Sequence, residues 1–189
     1  MKARHQAGAF VAAIVAAAAV VAMAVPAAAT SATVTISAGT LALLASPSNS
    51  TISATLNGAD QTVTTSQSFD VGDATGSGTG WNITATSTTF TTGGATPHTL
   101  PASAVTVQSA PSVSCDAGAT CTTASGTVSF PYALPAGATA PTATKLHNAA
   151  ATTGMGNQTV VATVRVAIPA NTYAGSYTST WTYSLVSAP

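Results

Sequence analysis

Few residues of this chain could do acid–base chemistry, and their spacing does not form a known catalytic set. Glu is absent, and the acidic residues are Asp60, Asp70, Asp73 and Asp116. Beyond the first 30 residues the histidines are His98 and His147, each in a stretch of Thr, Ala, Pro and Asn that predicts a surface loop. No G-x-S-x-G motif accompanies the abundant Ser, so a Ser/His/Asp triad is not indicated. The sequence therefore favours a protein without catalytic activity.

The two cysteines indicate a disulfide rather than a metal or redox site. Cys115 and Cys121 enclose five residues, and no second pair is present to complete a structural zinc site. Their spacing also differs from the C-x-x-C of redox enzymes. Asp70 and Asp73 lack the Glu that completes an EF-hand calcium loop. We therefore expect a local Cys115–Cys121 disulfide that pins a surface loop, and no metal or cofactor.

The first 29 residues have the organisation of a secretory signal peptide. Lys2 and Arg4 precede an apolar run over residues 7–25, and the small residues Ala27-Ala28-Ala29 follow it. Cleavage after Ala29 leaves residues 30–189 as a single exported domain without a membrane anchor, and cleavage after Ala32 is the second choice. The alternative is an uncleaved anchor, since the run approaches the roughly 20 residues that span a bilayer.

Charge is scarce and unclustered in the mature chain. Charged residues make up 4% of the sequence, and after the leader Lys145 and Arg165 stand against four Asp, a net charge of −2. Binding to nucleic acid or to anionic lipid depends on basic patches, and the sequence has none. We therefore expect no nucleic-acid partner, and no membrane partner once the signal peptide is removed.

Apolar residues alternate with Thr and Ser in the mature chain, as they do in half-buried β-strands. The clearest runs are residues 159–168, 177–185 and 81–86, with shorter ones at 33–36 and 105–107. Such short strands, separated by Gly and Pro in one domain of this size, predict an all-β fold built as an antiparallel β-sandwich.

Three connections are informative. Asn57-Gly58 lies between two alternating segments and predicts a two-residue hairpin turn. Residues 137–155, which contain Pro141 and Gly154, predict a loop. The glycines of residues 76–80 predict a tight connection that delivers Trp81 into a strand.

Two segments resemble the paired motifs of the WxL domain of Gram-positive surface proteins. The first is Asp73 to Ile83, with the sequence DATGSGTGWNI, and the second is Ala174 to Pro189, which closes the chain. Residues 100–107, 154–156 and 166–172 also resemble family segments, so the similarity covers residues 33–189. Ile83 and Tyr183 stand where the family pattern has Leu.

This resemblance implies a secreted, non-enzymatic protein with an immunoglobulin-like β-sandwich. It also implies non-covalent attachment to the cell wall of a Gram-positive bacterium, through peptidoglycan or another wall polymer, with other surface proteins as further partners. The motif residues Trp81, Ile83, Trp181 and Tyr183 become the candidate binding residues.

Two alternatives remain open from the sequence. An inward-facing Trp in a sandwich is ordinarily core, so we expect both Trp residues to be structural, whereas a solvent-facing Trp would stack on a sugar. The protein could also be a self-assembling fibre subunit of the cell surface, because low-charge strand edges can add strands between subunits. A wall-active enzyme is the less favoured third class.

Overall fold

The computed structural model describes residues 31–187, in which all regular structure is β-strand. The strands in chain order are β1 (Leu41–Ala45), β2 (Gln61–Asp73), β3 (Trp81–Thr88), β4 (Val105–Val107), β5 (Ser112–Cys115), β6 (Tyr132–Ala133), β7 (Ala136–Gly137), β8 (Thr144–Ala149), β9 (Gly156–Ile168) and β10 (Trp181–Ser187). The chain divides into two units, residues 1–35 and 36–189, and all ten strands belong to the second. The predicted signal peptide, residues 1–29, lies outside the described residues.

The strands form two sheets, which gives the sandwich-like all-β architecture that the sequence predicts. The larger sheet has the order β1-β2-β9-β4-β6, and β5 also pairs with β9. The smaller sheet has the order β10-β3-β7, and β8 also pairs with β3. Pairing is antiparallel except for the short contact of β3 with β7, which is parallel. The finer expectation of an immunoglobulin-like arrangement stays a prediction.

The core forms where the inward faces of the two sheets meet. In the larger sheet, Phe69 of β2 lies opposite Val160 of β9, and both are fully buried. In the smaller sheet, Ile83 of β3 is fully buried, while Tyr183 of β10 packs at the margin of the core. The rings of Phe69 and Tyr183 meet edge to face with centroids 4.9 Å apart, which joins the two sheets.

Two predictions for the segment before β2 are wrong, namely the strand at residues 33–36 and the hairpin around Asn57-Gly58. Residues 33–36 form no strand and are exposed. At Asn57-Gly58 a turn is present, because Gly58 has a φ of 82° and the Asn57 side chain accepts a hydrogen bond from the N–H of Ala59 at 3.0 Å. However, residues 51–56 are not a strand, so no hairpin forms. The side chain of Gln61 instead donates to the carbonyl of Thr55 at 2.8 Å, which connects residues 51–56 to the start of β2.

The predicted loop over residues 137–155 is also wrong in part, because it contains β8. This strand pairs with β3, and the register shifts between Ile83 and Thr84. Four consecutive residues, 146–149, are buried as a result. Because the shift interrupts the period of two, the sequence carries no alternating pattern from which this strand could be predicted.

Candidate functional site

The first motif tryptophan, Trp81, is entirely inside the core. It opens β3, the central strand of the smaller sheet, with β10 on one side and β8 on the other. The exposed fraction of its side chain is 0%, as is that of Ile83. Its indole N–H donates to the carbonyl of Gly154 at 2.9 Å. Neither Trp81 nor Ile83 presents a surface to a ligand in this structure.

Two glycines let the backbone approach Trp81 closely. Gly154 has a φ of 78°, and a Cβ built there would contact Ala149 Cβ and lie 2.6 Å from the indole Nε1 of Trp81. Gly80 has a φ of 82°, and a Cβ there would contact the carbonyl of Ala149. Both positions therefore require glycine, because the backbone is left-handed and because there is no space for a side chain.

A buried histidine, His147, lies in the same region, although the sequence predicts a surface loop for it. His147 of β8 is 5% exposed, and its ring centroid lies 6.1 Å from that of Trp81. Burial lowers the pKa of His147, since desolvation penalises the imidazolium form. Its Nε2 has no hydrogen-bond partner within residues 31–187. A neutral imidazole packed against Trp81 serves the core rather than acid–base chemistry.

The second motif tryptophan, Trp181, is in a different environment. It opens β10, an edge strand whose inward side chains Trp181, Tyr183 and Leu185 are only partly buried against the core. Trp181 meets Phe90 edge to face with centroids 6.2 Å apart. Its indole Nε1 is shielded from solvent, yet it has no hydrogen-bond partner among the described residues.

Trp181 and Tyr183 line a cavity of about 600 Å³ that is open to solvent. Phe90 and Tyr177 add further aromatic surface, and residues 46–50 and Leu43 of β1 also line the cavity. The amide of Gln67 lies in this cavity and donates to the hydroxyl of Ser50 at 2.6 Å. Burial raises the pKa of Tyr183 far above its ordinary value, so its phenol stays protonated.

The predicted disulfide is present. Cys115, at the end of β5, is bonded to Cys121 with the two Cα atoms 5.5 Å apart. The enclosed loop is fastened to β9, because the carboxylate of Asp116 accepts a hydrogen bond from the Thr159 hydroxyl at 2.7 Å. Asp116 also faces Asp70 of β2. Desolvation, followed by the neighbouring Asp116 carboxylate, raises the pKa of Asp70.

The segment that delivers Trp81 into β3, residues 74–80, has no regular secondary structure, and Gly76, Gly78 and Gly80 have positive φ there. The carboxylate of Asp73 accepts hydrogen bonds from the N–H and the hydroxyl of Thr75, at 3.0 and 2.7 Å. The hydroxyls of Thr75, Ser77 and Thr79 then form a chain with O···O distances of 2.9 and 3.1 Å. The carboxylate is therefore used to cap a turn. Within residues 31–187, no group of three or more His, Cys, Asp or Glu could hold a metal ion.

Comparison with known protein families gives one match. The family described as WxL domain surface cell wall-binding matches residues 24–189, nearly the whole chain. The chain belongs to the WxL domain family. No curated protein and no solved structure matches it.

Membership in the WxL family locates the protein at the cell wall of a Gram-positive bacterium, in a family that binds walls and is not a family of enzymes. Within residues 31–187, no helix is long and apolar enough to cross a membrane. The structure separates the four motif positions, since Trp81 and Ile83 are core residues while Trp181 and Tyr183 line a cavity.

Several cavity residues could not be found from the motifs. Phe90 follows β3, Gln67 lies in β2 before the first motif, and Ser50 precedes β2, so none of the three is inside a motif segment. Residues 177–183, by contrast, lie inside the second motif segment, where the alternation of aromatic residues with Thr and Ser is visible in the sequence. The cavity depends on packing between distant segments, which a single motif does not encode.

Proposed function

We propose that this WxL protein is exported, is not an enzyme, and attaches non-covalently to a cell-wall polymer through the cavity beneath Trp181 and Tyr183. The observation that carries the proposal is the environment of Trp181, a motif tryptophan that is partly buried and lines an open cavity. The proposal is supported by the wall-binding description of the family and by the open cavity that residues of the second motif line.

The composition of the cavity suits a carbohydrate. Trp181, Phe90 and Tyr177 offer flat apolar faces, and the apolar C–H face of a sugar ring stacks on such surfaces. Asn49, Ser50 and other short polar residues that line the cavity supply hydroxyl and amide groups for the sugar hydroxyls. A concave site with an apolar floor and a few polar groups is the usual form of a small-ligand site.

A pull-down with purified, protein-free cell walls tests attachment. We expect the exported protein to be retained, and the Trp181→Ala protein to lose about tenfold or more of its affinity while remaining folded. Val186→Ala is the matched control, because Val186 lies on the same strand, is 47% exposed and does not line the cavity. Full retention of a folded Trp181→Ala protein would show that the wall binds elsewhere.

Export is supported by the sequence of residues 1–29 and by the Cys115–Cys121 disulfide, since disulfides persist in oxidising compartments. The intact mass of the protein from its host measures this directly. We expect a chain that begins at Thr30, and a mature chain that still begins at Met1 would contradict cleavage.

The lack of catalysis is supported by the chemistry of the cavity. Its titratable groups are phenols, those of Tyr177 and Tyr183, and the Tyr183 phenol stays protonated. A hydrolase needs a general acid or base of suitable pKa. Incubation of the protein with cell walls should therefore release no soluble fragments, and any protein-dependent release of sugars or peptides would contradict this part of the proposal.

A second candidate function, self-association into a surface fibre, is favoured by apolar residues exposed near residue 30. Val34 and Ile36, at alternate positions, are 82% and 90% exposed. A segment with this pattern can add to the sheet edge of a second copy, and β10 pairs within residues 31–187 with β3 alone. Size-exclusion chromatography should then show concentration-dependent oligomers that are lost in a Val34→Thr, Ile36→Thr double variant. A monomer at all concentrations would contradict it.

A further inference from the structure

The cavity lined by Trp181 is the first of three neighbouring cavities that share lining residues. The second, of about 700 Å³, shares Ile52, Phe90 and Tyr177 with the first. The third, of about 400 Å³, shares Leu100, Tyr173 and Tyr177 with the second. Shared residues thus link the three neighbouring cavities in series, and we call the three together the aromatic cleft.

Aromatic side chains occur along the full length of the aromatic cleft. Trp181 and Tyr183 lie at one end, Phe90 and Tyr177 lie in the middle, and Tyr173 lies at the other end. At that far end the Tyr173 ring stacks on His98, with centroids 3.8 Å apart and planes 11° from parallel. Tyr173 is 64% exposed, so much of this ring pair is open to solvent. Phe90, Tyr177, Trp181 and Tyr183 are partly buried, and concave sites lined by aromatic side chains are typical of ligand binding.

The walls of the aromatic cleft carry no Asp, Glu, Lys or Arg among the residues that the structure describes. Their polar groups are hydroxyls of Ser, Thr and Tyr, amides of Asn and Gln, backbone groups and one imidazole, that of His98. A phosphate or carboxylate placed in such a cleft would lose hydration without gaining a counter-charge, which is unfavourable. An uncharged ligand avoids this cost of dehydrating a charge, and sugar hydroxyls can form hydrogen bonds with these donors and acceptors.

We propose that the aromatic cleft binds an extended run of uncharged sugars, the glycan backbone of the wall, in preference to anionic wall polymers or charged peptides. This inference rests on the proposed function and extends it from Trp181 to Tyr173 and His98. Successive sugars stack on successive aromatic side chains, so affinity grows with chain length. Since no ion pair is involved, binding changes little with salt.

Titration of the exported protein with oligomers of N-acetylglucosamine, from one to six sugars, tests the proposal. We expect affinity to rise with length and to stay within about twofold between 50 mM and 500 mM salt, because only charged contacts are screened. Poly(glycerol phosphate), an anionic polymer, should show no binding. Tyr173→Ala should lower affinity for the hexamer about tenfold and leave affinity for the disaccharide unchanged, since the far end is filled only by long chains.

Two controls separate a lost contact from a damaged fold. Tyr173→Phe keeps the ring and should restore hexamer binding, and Val186→Ala lies outside the cleft and should bind as the parent protein does. The Tyr173 carbonyl accepts a hydrogen bond from the Tyr177 hydroxyl at 3.0 Å. Because this contact uses the backbone of Tyr173, it is kept in both Tyr173→Ala and Tyr173→Phe. Unchanged melting temperatures establish that the variants fold.

The outcomes distinguish this inference from the proposed function. If whole walls are not retained at all, the proposed function fails. If walls are retained but Tyr173→Ala has no effect on the hexamer, or binding weakens steeply with salt, or the anionic polymer binds more tightly than the sugars, the glycan assignment is overturned and wall attachment stands.

Discussion

The two tryptophans of the chain lie on neighbouring strands, yet their surroundings differ in every respect that matters for function. In the β3–β10 ladder, Trp81 pairs with Ser187 and Trp181 pairs with Ser87, so the two indoles lie at opposite ends of the same strand pair. Seven residue pairs at about 3.4 Å per residue separate them by about 20 Å. Similar sequence motifs thus lead to one buried and one accessible side chain.

The difference arises from the neighbours of each strand. Trp81 is on the central strand, is covered by β8 and by Gly154, and satisfies its N–H with a backbone carbonyl. Trp181 is on the edge strand and leaves its N–H without a partner among the described residues. Such an unsatisfied buried donor costs free energy, on the order of 1–3 kcal/mol. The indole N–H of Trp81 is therefore satisfied, whereas that of Trp181 is not.

Of the substitutions that test this comparison, Trp81→Ala is expected to have the largest effect on stability. Removal of a fully buried indole should lower the free energy of unfolding by about 3–5 kcal/mol and the melting temperature by about 6–20 °C. Wall binding should be lost only in proportion to unfolding. A fully stable Trp81→Ala protein that fails to bind would show that Trp81 acts in binding, and the contrast between the two ends would disappear.

Gly154→Ala should have the next largest effect, because the new Cβ would press on Ala149 and on the indole of Trp81. Steric overlap and the positive φ together should lower the free energy of unfolding by about 2–4 kcal/mol. Gly118→Ala is the matched control, since Gly118 has a similar φ of 80° and open space around it. Equal losses in denaturant titrations of the two variants would mean that contact with Trp81 contributes nothing.

A pair of Trp→Phe substitutions compares the two indole N–H groups directly. Trp81→Phe leaves the Gly154 carbonyl without its donor and should cost about 2 kcal/mol or more. Trp181→Phe removes a donor that has no partner within residues 31–187, so its cost should stay below about 1 kcal/mol. Similar stabilities of the two variants in chemical denaturation would show that the hydrogen bond of the Trp81 indole adds nothing to stability.

The smallest effect is expected from the titration of His147, which packs against Trp81 and makes the stability of the protein depend on pH. Burial lowers the pKa of His147 from its ordinary value of 6.5, so its contribution to stability is complete above pH 6.5 and is lost as the pH falls through the folded-state pKa. The loss should not exceed about 1.4 kcal/mol per pH unit. His147→Gln should abolish this component of the melting profile, whereas His98→Gln should retain it.

The acidic residue Asp70 does not interfere with that comparison. Its pKa is raised in the folded state, so its contribution is present at low pH and is lost as the pH rises, the opposite direction. Because Asp70 is common to the parent and to the His147→Gln protein, it cancels in the difference. If the two melting profiles coincide between pH 4 and pH 7, His147 is not the titrating group.

Much of the fold follows from local pattern. The runs at 81–86, 105–107 and 159–168 fall within β3, β4 and β9, because alternation of apolar and polar residues reflects a strand with one face in the core. The run at 177–185 begins four residues before β10, although Thr178 forms an isolated bridge with Thr91. The disulfide was also predictable, since its cysteines are close in sequence and have no other partner.

The failures have a different cause in each case. Residues 33–36 alternate like a strand but find no partner among the described residues, and β8 is a strand whose alternation is interrupted by a register shift. His147 appears in a segment typical of loops, although the shift brings it into the core. Pattern reports which residues suit a strand, whereas pairing depends on the rest of the chain.

The sequence by itself determined the fold class, the local disulfide, the family resemblance and the glycine-rich connection that leads into Trp81, because each depends on residues that are neighbours in the chain. Only the tertiary structure decided which tryptophan is core and which lines a cavity. Both begin strands with the same alternation, and their burial depends on whether the strand is central or at the edge. The aromatic cleft likewise exists only because residues 43–56, 90–101 and 166–183 pack side by side.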